Sequence, residues 1–314
     1  MPAFSSSAPG KVIILGEHAV VYGRPAIAVP VHQIKANATV WGDITAPQGQ
    51  VQIQAPDIGL DSKLTKLPSN NPLAYAIRCV LSELAVDRPP SCIVRVSSTI
   101  PIAAGLGSGA AISVVIIRAL SAFLGHPLPQ EKVSKIAFEV DKIHHGTPSG
   151  IDNTVITYDQ PVYYVKGKQA TTFKPGQPFT LIVADTGIPS PTSKTVRRLR
   201  QAWKTDQKHH EEMFNEIGNM VKSARKAIEA GEINILGKLM NENHQLLRKM
   251  GISSPELDNL VETAIRSGAL GAKLSGGGRG GNMVALADPK QVDKISNDLL
   301  EAGAVNTFVT KVGI

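Results

Sequence analysis

The chain has 314 residues, 42% of them hydrophobic, enough to bury a full core, most simply as two lobes. A net charge of +7 favours anionic small molecules as partners, while 4% aromatic residues with no interleaved Lys/Arg run argue against a base-stacking nucleic-acid surface. Residues 1–7 lack a signal-peptide pattern, no apolar run reaches 18 residues, and the only cysteines, Cys79 and Cys92, have no metal-type spacing; these imply a cytoplasmic protein, with no membrane partner and two free, half-buried thiols.

Lys11–Leu15 reads as a short strand, residues 16–23 as a turn or short helix, and Ala26–Val29 as the next strand. A lysine entering a buried strand needs a negative group for its ammonium. Glu17 and His18 follow within reach of the same mouth. Residues 33–40 and 51–54 alternate like antiparallel strands around a turn at 46–49. Asn71-Pro72 predicts a helix start, with Leu73, Ile77, Leu81 and Leu84 on one face.

Residues 92–98 (CIVRVSS) have the period of a half-buried strand, and 110–124 suit a buried helix. Between them lies Gly105-Leu106-Gly107-Ser108-Gly109-Ala110-Ala111, a strand–glycine loop–helix unit. Such a unit aims backbone N–H groups at one point in front of a helix dipole, which suits phosphate. Gly105, Gly107 and Ala110 also satisfy G-x-G-x-x-A, but far from the first βαβ unit. The dinucleotide reading further asks for an acid at a strand end about 20 residues on, and Glu131 instead opens a predicted helix.

That helix, 129–145, carries Asp141 and His145 one turn apart and leads into Gly146-Thr-Pro-Ser-Gly-Ile-Asp-Asn153. Residues 154–158 read as a strand, so Asp152 sits where a loop meets it, an address for a catalytic carboxylate or for an Asx-turn. Residues 160–176 predict a hairpin and linker, with the lobe boundary near 170. A buried strand at 180–184 runs into a hydroxyl-rich loop and Arg197-Arg-Leu-Arg200, read as a solvated helix face. Three helices (208–231, 233–250, 255–268) follow; His209-His210-Glu-Glu is not a zinc motif. The strands 269–274 and 282–286 flank Ser275-Gly-Gly-Gly-Arg-Gly-Gly281, whose glycine density points to backbone lying close to a ligand. A helix at 289–301 and a strand at 304–312 close the chain.

Three segments, APGKVIILGEHAVVYG at 8–23, PIAAGLGSGAA at 101–111 and KLSGGGRGGNMVAL at 273–286, resemble in order and spacing the three motifs of the GHMP kinase superfamily. GEHAVVYG and the HGTPSGIDN loop are most similar to its mevalonate kinase branch. The resemblance covers essentially the whole chain. It implies an α+β fold of two lobes with the active site in the cleft between them. Residues 1–170 would form a ribosomal-protein-S5-like ATP-binding lobe with a left-handed β-α-β unit, and 171–314 a ferredoxin-like lobe. It implies ATP and Mg²⁺ as cofactors and mevalonate as substrate, and it allows a homodimer.

Carried onto this chain, the resemblance has Gly105, Leu106, Gly107, Ser108, Gly109, Ala110 and Ala111 wrap the ATP phosphates. Asp152 accepts or orients the proton of the attacking hydroxyl, and Lys11 beside it stabilises developing charge. His18 contacts mevalonate, and Gly277 lies in the segment bracing the phosphate loop and the substrate side. Three positions depart from the family pattern. Gly109 stands where a Mg²⁺-reaching serine is usual, leaving Ser108 as the loop's only hydroxyl. Asp141 replaces the usual metal-binding Glu, and Arg279 replaces a glycine, either to face a phosphate or as a surface side chain. Other readings are a kinase for phosphomevalonate, a sugar or homoserine, and a catalytically impaired nucleotide-binding relative.

Overall fold

Strands and helices follow the apolar spacing over most of the chain in the computed structural model, which describes residues 2–102, 104–145, 148–190 and 192–313. β1 (Ala3–Leu15) pairs with β2 (Pro25–Gly42), and both run through two packing units. The first unit gathers Met1–Gly10, Ile34–Pro101 and Gly107–Asp159; the second gathers Lys11–Gln33, Ile102–Leu106 and Gln160–Ile314. The division expected near 170 follows the chain, whereas packing groups residues 11–33 with the second unit.

In the first unit β2 continues in one sheet with β3 (Val51–Ala55), β4 (Leu60–Lys63) and β5 (Cys92–Ser98). β5 pairs antiparallel with β2, from Ala36↔Ser98 to Gly42↔Cys92, and parallel with β3, from Val51↔Cys92 to Gln54↔Arg95. β4 covers the far edge of β3. The stretches 33–40 and 51–54 are therefore strands but not neighbours, because β5 lies between them. Its alternation explains the central place: Cys92, Val94 and Val96 turn one apolar face inward. Burial pushes the Cys92 thiol up to about 12, and Cys79 is half-buried; both are free.

Four helices complete this unit: α1 (Pro72–Glu83), α2 (Ser108–Phe123), α3 (Gln130–His145) and α4 (Ile151–Tyr158). Asn71 caps α1 by accepting the Ala74 N–H at 3.1 Å, with Pro72 in the first turn. α2 is apolar nearly all round because α1, α3, α4 and β5 all pack on it. The β-branched run Thr154–Thr157, expected as a strand, is helical. Here packing on α2 and α3 outweighs strand preference: Asn153 Nδ2 donates to the Ser134 carbonyl at 3.1 Å and to its hydroxyl at 2.9 Å. The Thr154 hydroxyl donates to the Gly150 carbonyl at 2.7 Å.

In the second unit the first residues of β2 pair with β6 (Val162–Val165), which forms a hairpin with β7 (Thr171–Thr172). β8 (Phe179–Asp185), β9 (Gly271–Ser275), β10 (Asn282–Ala287) and β11 (Asn306–Val312) form an antiparallel sheet in the order β11-β8-β10-β9. Every residue of β8, β9 and β10 is buried. The helices are α5 (Thr192–Thr205), α6 (Gln207–Ala230), α7 (Ile233–Lys249), α8 (Pro255–Arg266) and α9 (Val292–Glu301). α7 reaches β9 through a glycine pair: a Cβ on Gly271 would lie 2.2 Å from the Gly237 carbonyl oxygen. Arg197, Arg198 and Arg200 are exposed on α5 while Leu199 is buried, so they form a solvated face. Among the described residues no three His, Cys, Asp or Glu side chains group as a metal site, and no helix is long and apolar enough to cross a membrane.

Candidate active site

Within the second unit, β1 carries Lys11 in a buried position, and its backbone N–H donates to the Leu106 carbonyl at 3.0 Å. This bond ties the first motif to the glycine loop. At Gly16 the chain turns with φ +103°, and a Cβ there would meet Ala26 Cα and the Pro25 carbonyl at 2.5 Å, so only glycine fits. Next the Ala19 N–H donates to the Glu17 carbonyl at 2.6 Å across His18, whose φ of 60° and ψ of −47° define the rare γ-turn of positive φ. A short 3-10 helix, Ala19–Tyr22, then ends on Gly23. Strain of this kind persists only where the surroundings over-determine it.

The surroundings are supplied by the third motif. Ser275, at the end of β9, accepts the Ile13 N–H at 3.1 Å and donates its hydroxyl to the Ile13 carbonyl at 3.0 Å. His18 Nε2 pairs with the Gly277 carbonyl at 3.2 Å, while its Nδ1 is buried with no hydrogen-bond partner. Burial lowers the His18 pKa to about 4, so the ring is neutral near pH 7. Behind it Lys273, wholly buried on β9, donates to Glu17 Oε1 and to the Leu274 carbonyl. Burial pushes the Glu17 carboxyl up and the Lys273 ammonium down, and each opposes the shift in the other.

The glycine segment itself is laced into the same unit. The Gly278 carbonyl accepts the Ser190 hydroxyl at 2.7 Å, and the Gly281 carbonyl accepts both the N–H and the hydroxyl of Thr186 at 2.9 Å. Asn282 donates to the Ala104 carbonyl, beside the glycine loop. Arg279 resolves as a surface side chain: it is exposed and donates Nε to the Gly251 carbonyl at 3.2 Å.

Within the first unit, Gly107 is the cap residue of α2 and offers no side chain to it, and no acid occupies the first turn. The first ladder bond runs from the Ala111 N–H to the Gly107 carbonyl at 2.9 Å, so the amides of Ser108, Gly109 and Ala110 precede the ladder. A 16-residue helix that starts this way is suited to an anion. Asp141 is a buried carboxylate on α3. Asp152 lies in the first turn of α4, a correction to its expected place before a strand. α2, α3 and α4, which carry Ser108, Asp141 and Asp152 in turn, pack on one another. The His145 side chain and residues 146–147 of the HGTPSGIDN loop lie outside the described residues.

Lys273, Ser275 and Asn282 were not singled out from the sequence. One signal was present for Lys273: a charged residue inside an all-apolar strand needs a carboxylate, the argument applied to Lys11.

Residues 71–160 match the GHMP kinases N terminal domain, and residues 224–305 match the GHMP kinases C terminal domain. The mevalonate kinase of Thermococcus sibiricus is 35% identical, over 98% of this chain and 95% of that protein. The mevalonate kinase of Pyrococcus horikoshii is likewise 35% identical over 98% of this chain and 95% of its own length. Among solved structures, L. major mevalonate kinase in complex with R-mevalonate matches with a TM-score of 0.85 and 31% identity, covering 98% of this chain and 95% of that one. The Methanococcus jannaschii mevalonate kinase matches with a TM-score of 0.85 and 27% identity, over 99% and 98%. The two domain matches in their order, the motif loops just described and these near end-to-end likenesses lead to one assignment: the chain belongs to the GHMP kinases.

Proposed function

We propose that the chain is an ATP-dependent kinase that phosphorylates the primary hydroxyl of mevalonate to give 5-phosphomevalonate. The observation that carries this is the likeness, over nearly the full length, to several mevalonate kinases, one of them solved with R-mevalonate. In the reaction a bond forms between the substrate hydroxyl oxygen and the γ-phosphorus of ATP. The bond from that phosphorus to the bridging oxygen breaks, ADP leaves, and the hydroxyl proton passes to the Asp152 carboxylate. Lys11 supplies positive charge to the oxygens on which charge develops. The amides opening α2 hold phosphate oxygens against the helix dipole. His18, being neutral, meets the substrate by hydrogen bonding rather than by charge.

The donors present also fit Mg²⁺, which takes hard oxygen ligands, keeps several waters and needs few carboxylates beside ATP phosphates. The buried Asp141 carboxylate and the Ser108 hydroxyl are the residues assigned to hold it. When bound, the ion neutralises phosphate charge. Residues 1–170 serve the nucleotide in this reading and 171–314 form the second lobe, while the free thiols fit the cytoplasm.

The test is an ATP-turnover assay with R-mevalonate beside phosphomevalonate, galactose and homoserine. Mevalonate is expected to lead in kcat/KM by at least about 100-fold, a margin below the roughly 10⁴-fold by which unpaired buried polar groups can reject an analogue. Faster turnover of another alcohol replaces the substrate. ATP binding without any turnover leaves a nucleotide-binding relative.

A further inference from the structure

Lys273 is the most deeply buried ammonium among the described residues: its side chain has no exposure, and Glu17 beside it has 1%. Both lie in the second unit, on β9 and on the loop after β1. A buried ion pair is weak as a stabilising device, since two apolar side chains of similar volume often serve the fold as well. Its retention therefore calls for another role, and the geometry indicates one.

Glu17 is bonded to one ammonium group and lies in the field of a second. Oε1 is held by Lys273 through a direct hydrogen bond, and Lys273 is itself held by the Leu274 carbonyl. Oε2 is buried with no hydrogen-bond partner, so that oxygen acts through its field. The charge of Lys11 is close enough to act on the Glu17 carboxyl, and by reciprocity Glu17 acts on Lys11. The backbone of Glu17 also closes the γ-turn that orients His18.

We propose that Lys273 is a positioning residue for phosphoryl transfer: it fixes the Glu17 side chain, and Glu17 in turn holds the Lys11 ammonium where charge develops. Lys273 is fully buried. It acts through Glu17. This role rests on the kinase reading above, and the wild-type protein tests that reading separately.

Two features set the expected kinetic signature. His18 has its own anchor on the Gly277 carbonyl, and the phosphate-binding amides belong to α2, so ground-state binding does not depend on the Glu17–Lys273 pair. A contribution made only as charge develops appears in kcat.

The experiment compares wild type, Lys273→Met and the double variant Glu17→Gln/Lys273→Met in thermal unfolding and in steady-state assays with ATP and R-mevalonate. Lys273→Met strands a buried carboxylate and is expected to unfold at lower temperature. The double variant removes both charges with side chains of similar volume and is expected to recover most of that loss. Its kcat should nevertheless stay at least 30-fold below wild type, with both KM values within threefold. A double variant that regains stability and kcat together makes the pair structural only and overturns the proposal. So does a double variant whose loss lies in KM with kcat unchanged. If Lys273→Met does not fold, the double variant alone decides. Absence of turnover by wild type overturns the kinase reading itself and this role with it, a result distinct from loss confined to the variants.

Discussion

In the second unit, the segment 16–23 is closed from several sides: Glu17 on Lys273, His18 on Gly277, and the preceding strand on Ser275. In the first unit, α2 begins at a glycine that supplies no cap and leaves its leading amides ahead of the ladder. One region anchors its polar side chains within the protein, although Glu17 Oε2 and His18 Nδ1 have no hydrogen-bond partner, and holds a strained turn in place. The other leaves the amides of Ser108, Gly109 and Ala110 ahead of the helix ladder, an arrangement that suits an anion. Changes in the first kind of region should cost stability as well as rate, and changes in the second should alter ligand dependence and rate while the fold stays intact.

The sharpest test of the open region is Asp152→Asn, which keeps shape and hydrogen bonding but removes proton acceptance. Loss of a general base lowers the rate by about 10²–10⁴-fold. The expected outcome is a kcat reduced on that scale, with ATP affinity and unfolding temperature close to wild type. Retention of more than roughly a tenth of wild-type kcat would remove Asp152 from the role of base.

The closed region breaks at Gly16. Alanine there must hold φ near +103° and place its Cβ 2.5 Å from Ala26 Cα and the Pro25 carbonyl oxygen. Backbone strain and overpacking together should cost on the order of 3 kcal/mol. Denaturant titration should show the midpoint falling, and kcat should drop as His18 shifts. Unchanged stability would mean that the turn is not over-determined.

How far the sequence carries the reader differs between the same two regions. The helix at 108–123 and the strand at 92–98 are legible from apolar spacing alone, because both lie where local pattern and packing agree. Residues 154–158 are not: four residues of strand preference lie in a helix held by Asn153 and by contacts to α2 and α3, distant in sequence. Lys11, His18 and Asp152 come from motif resemblance. The partner of Glu17 lies 256 residues away in sequence, so no local pattern pairs it with Lys273. The γ-turn is hidden for a related reason, since the anchor of His18 on Gly277 lies far away in sequence.

Acid should expose the closed region through its buried rings. Burial lowers to about 4, from an ordinary 6.5, both His18 and His244, a buried residue of α7 whose Nδ1 accepts the Leu274 N–H at 3.4 Å. Above pH 6.5 each ring is neutral folded and unfolded, and the stability gained by keeping it neutral is fully present. Between pH 6.5 and 4 the unfolded chain takes up a proton that the folded chain refuses, so stability falls as pH falls. Each ring contributes up to about 1.4 kcal/mol per pH unit in that window. Unfolding free energies measured at pH 7, 6 and 5 should therefore decline, and His244→Gln should flatten the decline by about half. An identical slope in the variant would mean that His244 is already charged in the fold, paired with Asp258 at 3.2 Å.

The smallest expected effect returns to the open region and concerns the metal. Mg²⁺ is satisfied by few protein ligands because it retains water and shares the ATP phosphates. Asp141, buried on α3, is the carboxylate assigned to it, and Gly109, in the first turn of α2, is the position without a hydroxyl. Removing a carboxylate ligand should raise the Mg²⁺ concentration for half-maximal rate by about tenfold, the scale of one charged contact. Adding a hydroxyl by Gly109→Ser should lower it by about two- to threefold, since a hydroxyl competes with a water that already serves. Both proteins should unfold near the wild-type temperature. Titration of Mg²⁺ at fixed ATP reads both midpoints. If Asp141→Ala leaves the midpoint in place while lowering the unfolding temperature, Asp141 belongs to the closed kind of region, as a structural carboxylate of α3.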